Sequence, residues 1–453
     1  MAKSKNKKLT IEDALVLVEE QPYEVPGNWC WTYLNNIAQW GSGGTPSRKH
    51  PEYYGGSIPW IKTGELEDDY LYDSEERITE EAVANSSAKI FPENSVLIAM
   101  YGATIGKTAI LAIPATTNQA CACARCYDFI NNKYLFYYLR SQKDAFIRKG
   151  KGGAQPNISQ DIIKNHSFPL PPLPEQQRIV EQIERLFSKL DEAKEKAQGI
   201  LNSFDDTWSV ITYAAFTGRL TEKWRERNGK KTDWKEYTLQ GVCAMKITDG
   251  THQTPTYCEK EDGGVPFISA KDVTSKTICW DDIKYIVPEL HEELYARIAP
   301  QIDDVLLAKN GTTGVAAIVD TDKVFDIYVT LAVLRPDKDI IVPRYLYNIV
   351  NSPVCKDQFN SHLTGIGVPN LHLRDIKDVK IMVPDKDEQV EVVRLVDRLW
   401  DTYVAAYGTA KGVVESIDIM KKSILARAFR GELGTNDSSE ENSIELLRQI
   451  IES

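Results

Sequence analysis

The sequence predicts an α+β protein made of two similar globular domains, each followed by one long helix. Short β-rich runs, such as residues 95–99 and 304–308, alternate with segments of helical pattern, such as residues 132–148 and 343–359. Apolar residues at heptad spacing follow each of these mixed regions. The length of 453 residues is sufficient for two such copies.

An internal repeat defines the two copies. Asn28-Trp29 recurs as Asp233-Trp234 at an offset of 205 residues, and the offset has grown to 213 where Pro156-Asn157-Ile158 matches Pro369-Asn370-Leu371. From there the offset is constant, through the pairs Glu175-Gln176 with Glu388-Gln389, Ala215-Phe216 with Ala428-Phe429, and Gly218 with Gly431. The length of this segment is the same in both copies, whereas the lengths of the segments before it differ. A segment of constant length indicates a spacer. A tandem duplication without such a use is the alternative.

The constant segment has the pattern of a long helix in both copies. Glu175 follows a proline-rich stretch and places negative charge in the first helical turn. Gly218 and Gly431 are typical of helix C-caps, whereas Gly199 and Gly412 in mid-helix indicate a kink or a close helix contact.

Each helix carries one apolar stripe that needs a partner. The simplest arrangement is that the two helices pair with each other, antiparallel. The one gap in the stripe of the second copy is Lys421, at the position of Trp208 in the first.

The composition is typical of a globular, non-membrane protein, with 42% hydrophobic and 26% charged residues. We expect a cytoplasmic protein, since no apolar run is long enough to span a bilayer and no signal peptide is recognisable. Eight cysteines in a chain of this length are then expected to be thiols. The net charge of −11 argues against a surface that binds a polyanion throughout, but it leaves room for a local basic site.

Polar, glycine-bearing loops at matched places are the best candidates for ligand contact. The lysine–glycine loop, residues 148–153, lies in a stretch without acidic residues, as does its counterpart at residues 362–374. Lysines and backbone amides can approach phosphates, and the side-chain amides of Gln155, Asn157 and Asn370 can read base edges. Residues 42–45 and 248–252 form a second matched pair. Any one loop fits a solvated surface, but the recurrence favours nucleic-acid contact.

Two motifs suggest other chemistry and are weaker. Residues 102–108 resemble a phosphate-binding loop, but three residues rather than four separate the glycines, and the second copy lacks the lysine. Cys121, Cys123 and Cys126 have metal-like spacing without a fourth ligand nearby, so we interpret them as core residues of a strand. No histidine lies in a recognisable catalytic set, and the sequence therefore predicts a non-enzymatic chain, with no catalytic residues and no metal site.

Five segments occur in a characteristic order along the chain: Val25-Pro26-Gly27-Asn28-Trp29, Gly43-Gly44-Thr45-Pro46, Ile58-Pro59-Trp60-Ile61, Pro171-Pro172-Leu173-Pro174-Glu175-Gln176 and Ala215-Phe216-Thr217-Gly218. Through these segments the chain resembles the specificity subunit of type I restriction–modification systems, over nearly its whole length and in the family's order. The second copy departs from the pattern at Asp385-Lys386-Asp387 and lacks the double glycine of the first loop.

The resemblance implies two pseudo-symmetric target-recognition domains separated by a long antiparallel two-helix coiled coil. Each domain would read half of an asymmetric, bipartite double-stranded DNA site. The subunit would also scaffold two methyltransferase subunits, which bring S-adenosylmethionine and methylate adenine at N6, and restriction subunits that use ATP and Mg²⁺. It would carry no cofactor itself.

We expect seven segments along the chain. They are an N-terminal extension, expected to be helical (1–23), recognition domain one (24–173), a central spacer helix (174–220), a linker (221–233), recognition domain two (234–384), a C-terminal spacer helix (385–433) and an acidic tail (434–453).

Two sets of site residues are predicted. The DNA contacts expected from the matched loops are Ser42, Gly43, Thr45, Tyr101, Lys149, Lys151, Gln155, Asn157, Thr251, His252, Lys309, Asn310, Thr312, Thr364 and Asn370. The helix residues expected to bind partner subunits are Ile183, Leu186, Phe204, Trp208, Phe216, Val396, Leu399, Ile417, Ile424 and Phe429. A coiled-coil scaffold whose globular ends bind proteins is the main alternative, and a nucleotide-using enzyme is a third.

Overall fold

The computed structural model describes residues 10–150, 157–363 and 370–452. The chain divides into two units, the first running to Lys196 and resuming at Val413, the second running from Ala197 to Gly412. Among the described residues, no helix combines the length and the hydropathy that a membrane span requires.

The described residues of the first half of the chain form ten strands and six α-helices. The strands are β1 (Cys30–Tyr33), β2 (Ala38–Ser42), β3 (Tyr54–Ile61), β4 (Asp69–Leu71), β5 (Glu76–Ile78), β6 (Val96–Ala99), β7 (Thr108–Leu111), β8 (Thr116–Thr117), β9 (Cys121–Cys126) and β10 (Ser167–Leu170). The helices are α1 (Ile11–Ala14), α2 (Glu80–Ala84), α3 (Asn132–Ser141), α4 (Lys143–Lys149), α5 (Gln160–Lys164) and α6 (Leu173–Asn202).

The remainder of the chain follows the same plan. Its strands are β11 (Lys235–Thr238), β12 (Thr248–Asp249), β13 (Tyr257–Cys258), β14 (Val265–Ile268), β15 (Lys284–Ile286), β16 (Val305–Ala308), β17 (Ala316–Ile318), β18 (Asp326–Ile327), β19 (Leu331–Leu334) and β20 (Lys380–Val383). Its helices are α7 (Phe204–Phe216), α8 (Glu222–Arg227), α9 (Pro288–Arg297), α10 (Pro343–Val350), α11 (Pro353–Ser361), α12 (Leu373–Asp378), α13 (Lys386–Ala428) and α14 (Ser443–Glu452).

The sheets of the two copies have the same strand order, which confirms the repeat predicted from the sequence. The order β2-β9-β6-β7 in the first copy matches β12-β19-β16-β17 in the second, and β5-β3-β8 matches β15-β14-β18. An antiparallel pair, β1 with β10 or β11 with β20, brings the start and the end of each copy together. The central strands β6 and β16 are buried at every residue, because apolar side chains pack on both of their faces.

Several predicted helices are interrupted. The helix predicted at residues 132–148 is two helices, α3 and α4, with Gln142 between them, and the one at residues 343–359 divides into α10 and α11. The second break precedes Pro353, which has no N–H for the helical ladder and disfavours helical backbone at the residue before it.

The first spacer helix also breaks, between α6 and α7 at Ser203. Serine competes with helical hydrogen bonds, and the break lies four residues after Gly199, where a kink was expected. In α13 the helix continues unbroken through Gly412.

The two long helices pack antiparallel, and this is visible inside each unit. In the second unit, Phe204 stacks on Tyr403 with ring centroids 4.7 Å apart, and Trp208 lies 4.7 Å from Trp400. In the first unit, the Lys421 ammonium lies 2.6 Å from the Asp191 carboxylate. The α+β class and the predicted helix pairing are therefore confirmed.

The C-terminal ends of α7 and α13 each pack into a hydrophobic core, one in each unit. Gly218 and Gly431 have φ of 77° and 74°, the left-handed conformation expected of C-cap glycines. Just before them, Phe216 packs edge-on to Tyr345 in the core of the second unit, and Phe429 packs against Tyr134 in the core of the first.

The repeated Glu-Gln pair at the start of each spacer helix has a structural role. Gln176 accepts a hydrogen bond from the backbone N–H of Asn131, before α3, and Gln389 accepts the matching bond from Val342, before α10. Both glutamines are buried, so each fixes a helix of its globular copy, α3 or α10, against the start of the long helix that follows that copy.

Candidate nucleic-acid interface

Three loops of the first unit converge beside the end of β6. The N–H of Gly44 donates to the Thr117 carbonyl (2.9 Å), and the N–H of Met100 donates to that of Ala120 (2.8 Å). Asn157 joins them through an antiparallel bridge to Tyr101. The segments around residues 42–45, 100–106 and 117–120 therefore form one surface with Asn157.

The second unit repeats this convergence almost bond for bond. The N–H of Thr251 donates to the Ile327 carbonyl (3.3 Å), and the N–H of Lys309 donates to that of Thr330 (2.9 Å). Asn370 is bridged to Asn310, as Asn157 is to Tyr101. The loops around residues 42–45 and 100–106, and their counterparts around residues 249–252 and 309–314, thus each lie with a matched asparagine in one site of their copy.

One glycine in each site is required by close backbone packing. A Cβ on Gly43 would lie 2.0 Å from the Thr117 carbonyl oxygen, and a Cβ on Gly250 would lie 2.0 Å from that of Ile327. No real Cβ contact is that short, so both positions need glycine. Gly250 is therefore the structural counterpart of Gly43, although the second copy lacks the double glycine.

The loop that resembles a phosphate-binding loop forms a turn at this surface in both copies. Gly102 and Gly106 have positive φ, as do Gly311 and Gly314, and the N–H of the second glycine in each loop bonds back to the end of the preceding strand. Its repetition without a lysine in the second copy favours a scaffold for Tyr101, or for Asn310 and Thr312, over nucleotide binding.

The first site presents neutral polar and aromatic groups. The side chain of Tyr101 is exposed, and the Thr45 hydroxyl donates to Oε1 of the exposed Gln119. Ser42 is partly buried at the end of β2. Gln119 was not predicted from the sequence, where no motif marks it, because it joins the site only through folding.

The second site is built around a buried acid. Asp249 is 3% exposed, and its Oδ2 lies 2.8 Å from the ammonium of Lys309, which is itself buried. His252 Nε2 lies 3.3 Å and Arg297 Nη2 lies 3.8 Å from Oδ1 of the same carboxylate. Lys309 and the buried Thr251 are thus placed beneath the surface, whereas His252 and Arg297 reach it. Arg297 was not predicted from the sequence.

The lysine–glycine loop is described only in part. Lys149 ends α4, and its ammonium donates to Nδ1 of His166 at 3.0 Å, while Nε2 of that ring lies 3.2 Å from the amide oxygen of Gln142. Burial of the imidazole, and then the nearby ammonium, lower the pKa of His166 to about 4. Lys151, Gln155 and Thr364 lie outside the described residues.

Half of the helix residues predicted to bind partners are instead buried within this chain. They pack in its own core or between the paired helices and so offer no outer surface; these are Ile183, Phe216, Val396, Ile417 and Phe429. The others are partly buried: Leu186, Phe204, Trp208, Leu399 and Ile424. Apolar side chains that do remain exposed on the helices include Val210 (69%) and Ile419 (70%). A heptad pattern selects the seam between paired helices, which explains why the five buried residues contribute to packing within the chain.

Cys121 and Cys123 of β9 are core residues, as their alternation along the strand predicts, whereas Cys126 is partly buried. Cys121 and Cys123 are fully buried in one apolar cluster, and burial raises the pKa of the Cys123 thiol to about 12. Across the described ranges, no group of three or more potential ligands has the geometry of a metal site.

The fold and the site together define a protein with two recognition surfaces, each on the same scaffold but with different side chains, joined through paired helices. The model of the family described as "Type I restriction modification DNA specificity domain" matches residues 26–201 and again residues 231–405. The chain belongs to this family, as a specificity subunit whose role is DNA sequence recognition.

Relatives and a solved structure agree with this assignment. The EcoBI specificity subunit of Escherichia coli is 25% identical over 361 residues, covering 76% of this chain and 74% of its own. The MjaIX specificity subunit of Methanocaldococcus jannaschii is 25% identical over 391 residues, covering 84% and 89%. The crystal structure of the HsdS subunit from Thermoanaerobacter tengcongensis shares the fold, with a TM-score of 0.65, 19% identity and coverage of 92% and 100%. The scaffold alternative is not favoured.

Proposed function

We propose that each recognition domain reads one half of a bipartite, asymmetric double-stranded DNA site through the three-loop surface described above. The observation that carries this proposal is the repeated backbone framework with different side chains upon it. A common framework suits the common shape of DNA, and divergent side chains suit two different half-sites.

The partners we propose are two methyltransferase subunits and the restriction subunits of a type I complex, assembled in the cytoplasm. The internal duplication supports two equivalent docking places for identical subunits. Exposed apolar side chains on the helices, Val210 and Tyr213 in the second unit and Ile419 and Met420 in the first, support partner contact there, since such groups are costly to leave in water.

In this proposal the chain contributes sequence choice and scaffolding, not chemistry. The methyltransferase subunits supply S-adenosylmethionine and methylate adenine at N6, and the restriction subunits use ATP with Mg²⁺. The residues of the two loop surfaces bind and orient DNA, and in this proposal they neither transfer a proton nor hold a cofactor.

A gel-shift titration with and without the methyltransferase subunit tests the proposal. The net charge of −11 opposes the approach of DNA, so the isolated chain should bind weakly. Because apolar side chains such as Val210 and Ile419 are exposed on its helices, it should also tend to aggregate. Co-expression with the methyltransferase should raise both solubility and sequence-specific affinity. Tight, specific binding by the lone chain at physiological salt would contradict the scaffolding role, and no specific binding by the complex would contradict the DNA role.

A further inference from the structure

The two recognition surfaces differ in electrostatic character at equivalent positions. The first has neutral residues, Ser42, Thr45 and Met100, where the second has Asp249, His252 and Lys309. The backbone bonds around them are the same, so the difference lies in the side chains and not in the framework.

In the second surface, the buried carboxylate of Asp249 supports the exposed side chains of Arg297 and His252. A buried charge must be paired, and Lys309, which is 8% exposed, supplies that pairing from below. The positive charge of Arg297 is therefore left in excess at the surface, and His252 lies beside it with its side chain 66% exposed.

Arg297 has the geometry of a base-reading group. It is the last residue of α9, its side chain is 49% exposed, and Nη2 donates to the Asp249 carbonyl at 3.4 Å. Within the described parts of the chain, no other nitrogen of this guanidinium has a hydrogen-bond partner. A guanidinium held on one side and free on the other can donate two parallel hydrogen bonds to O6 and N7 of guanine.

In the first surface, Gln119 is an exposed side chain with both donor and acceptor groups. Its amide oxygen accepts from the Thr45 hydroxyl and keeps a second lone pair, while its NH₂ can donate. An amide fixed in this way matches N6 and N7 of adenine, the pairing typical of glutamine.

We propose that the two domains read their half-sites by different chemistry: Arg297, positioned by Asp249, reads a guanine in one half-site, and Gln119, positioned by Thr45, reads an adenine in the other. This inference rests on the proposed function, because it assigns the bases that the two surfaces recognise.

Methylation mapping and competition binding with the full chain and its methyltransferase test the assignment. The variants are Arg297→Lys, which keeps the charge but loses the planar fork, Arg297→Ala, and Gln119→Ala. Arg185→Ala, an exposed arginine of α6 that contacts Gln182, is the matched control. Each position of the site would be substituted in turn in the competitor DNA.

Arg297→Lys should lose its preference for one guanine by roughly ten-fold to hundred-fold while the other half-site keeps its selectivity. Gln119→Ala should relax one A·T pair in that other half, and the control should match the parent. An Arg297→Lys variant as selective as the parent would overturn the inference, as would two variants that change the same half-site. If the Arg297→Ala chain does not assemble with the methyltransferase, the selectivity of the Arg297→Lys variant alone tests whether Arg297 reads a guanine. A parent complex without any sequence preference would instead overturn the proposed function, and this inference with it.

Discussion

The indole N–H of Trp29 donates a 2.7 Å hydrogen bond to Oε2 of Glu175, and both side chains are buried. The amide of Asn436 donates to the same oxygen at 2.8 Å. Glu175 thus fastens the start of the first recognition domain and the segment after α13 to the start of α6. The counterpart Glu388 accepts from Thr221 and Arg225, which follow α7, so the same junction recurs with different donors.

Replacing Glu175 with alanine should lower the free energy of unfolding by about 1–3 kcal/mol, because the buried indole N–H of Trp29 and the partly buried amide of Asn436 lose their acceptor. Denaturant titration at neutral pH measures the change. Glu181→Ala is the control, since Glu181 is exposed on the same helix and its loss should cost under about 0.5 kcal/mol. Equal unfolding midpoints for the two variants would show that this junction contributes little.

Gly43→Ala and Gly250→Ala should each impair one half-site only. The new Cβ would lie 2.0 Å from a backbone carbonyl oxygen in both cases, so the loop must move away from its partner segment. Competition binding with half-site variants measures the loss of selectivity. Gly27→Ala is the control, because nothing lies within 4 Å of its Cβ position. If both glycine variants kept the full sequence selectivity of the parent, these loops would not contribute to DNA recognition.

Stability should fall as the pH is lowered from neutral, in part through His166. Its neutral ring accepts from Lys149 and donates to Gln142, so protonation places a second cation beside the ammonium. The native pKa of about 4 lies below the ordinary 6.5, so the unfolded chain takes up the proton first and stability is lost below about pH 6.5. His166→Gln should remove about 2 kcal/mol of the change between pH 7.5 and 5. Parallel pH profiles for parent and variant would contradict this.

Lengthening both spacer helices should lengthen the DNA gap. Seven residues inserted after Ala193 and seven after Ala406 preserve the heptad seam and add about 10.5 Å, equivalent to about three base pairs. The second half-site is then rotated by roughly a third of a turn, so activity is also expected to fall. The single insertion after Ala193 is the control and should destabilise the assembly. If the doubly inserted protein methylated sites with the original gap, the length of the paired helices would not determine the distance between the half-sites.

The features that could be predicted from the sequence are those that repeat along it and those that have a local residue pattern. The two copies, the paired helices and the C-cap glycines followed from offsets, heptads and residue type. The helix break at Ser203 and the burial of Lys309 did not, because each depends on packing that a periodicity does not encode.

The polar contacts within the sites were the least predictable. Asp249, Arg297 and Lys309 are far apart in the sequence and meet only when β12, α9 and the end of β16 fold together. Gln119 and Thr45 are brought together by tertiary folding in the same way.

Sequencing that detects methylated adenine, in cells expressing the chain with its methyltransferase, shows whether the two similar domains of one chain recognise two separate parts of one DNA site. We expect one motif of two short, different specific parts, separated by a gap of fixed length and no sequence preference. A contiguous motif, or methylation that does not depend on this chain, would refute recognition by two domains.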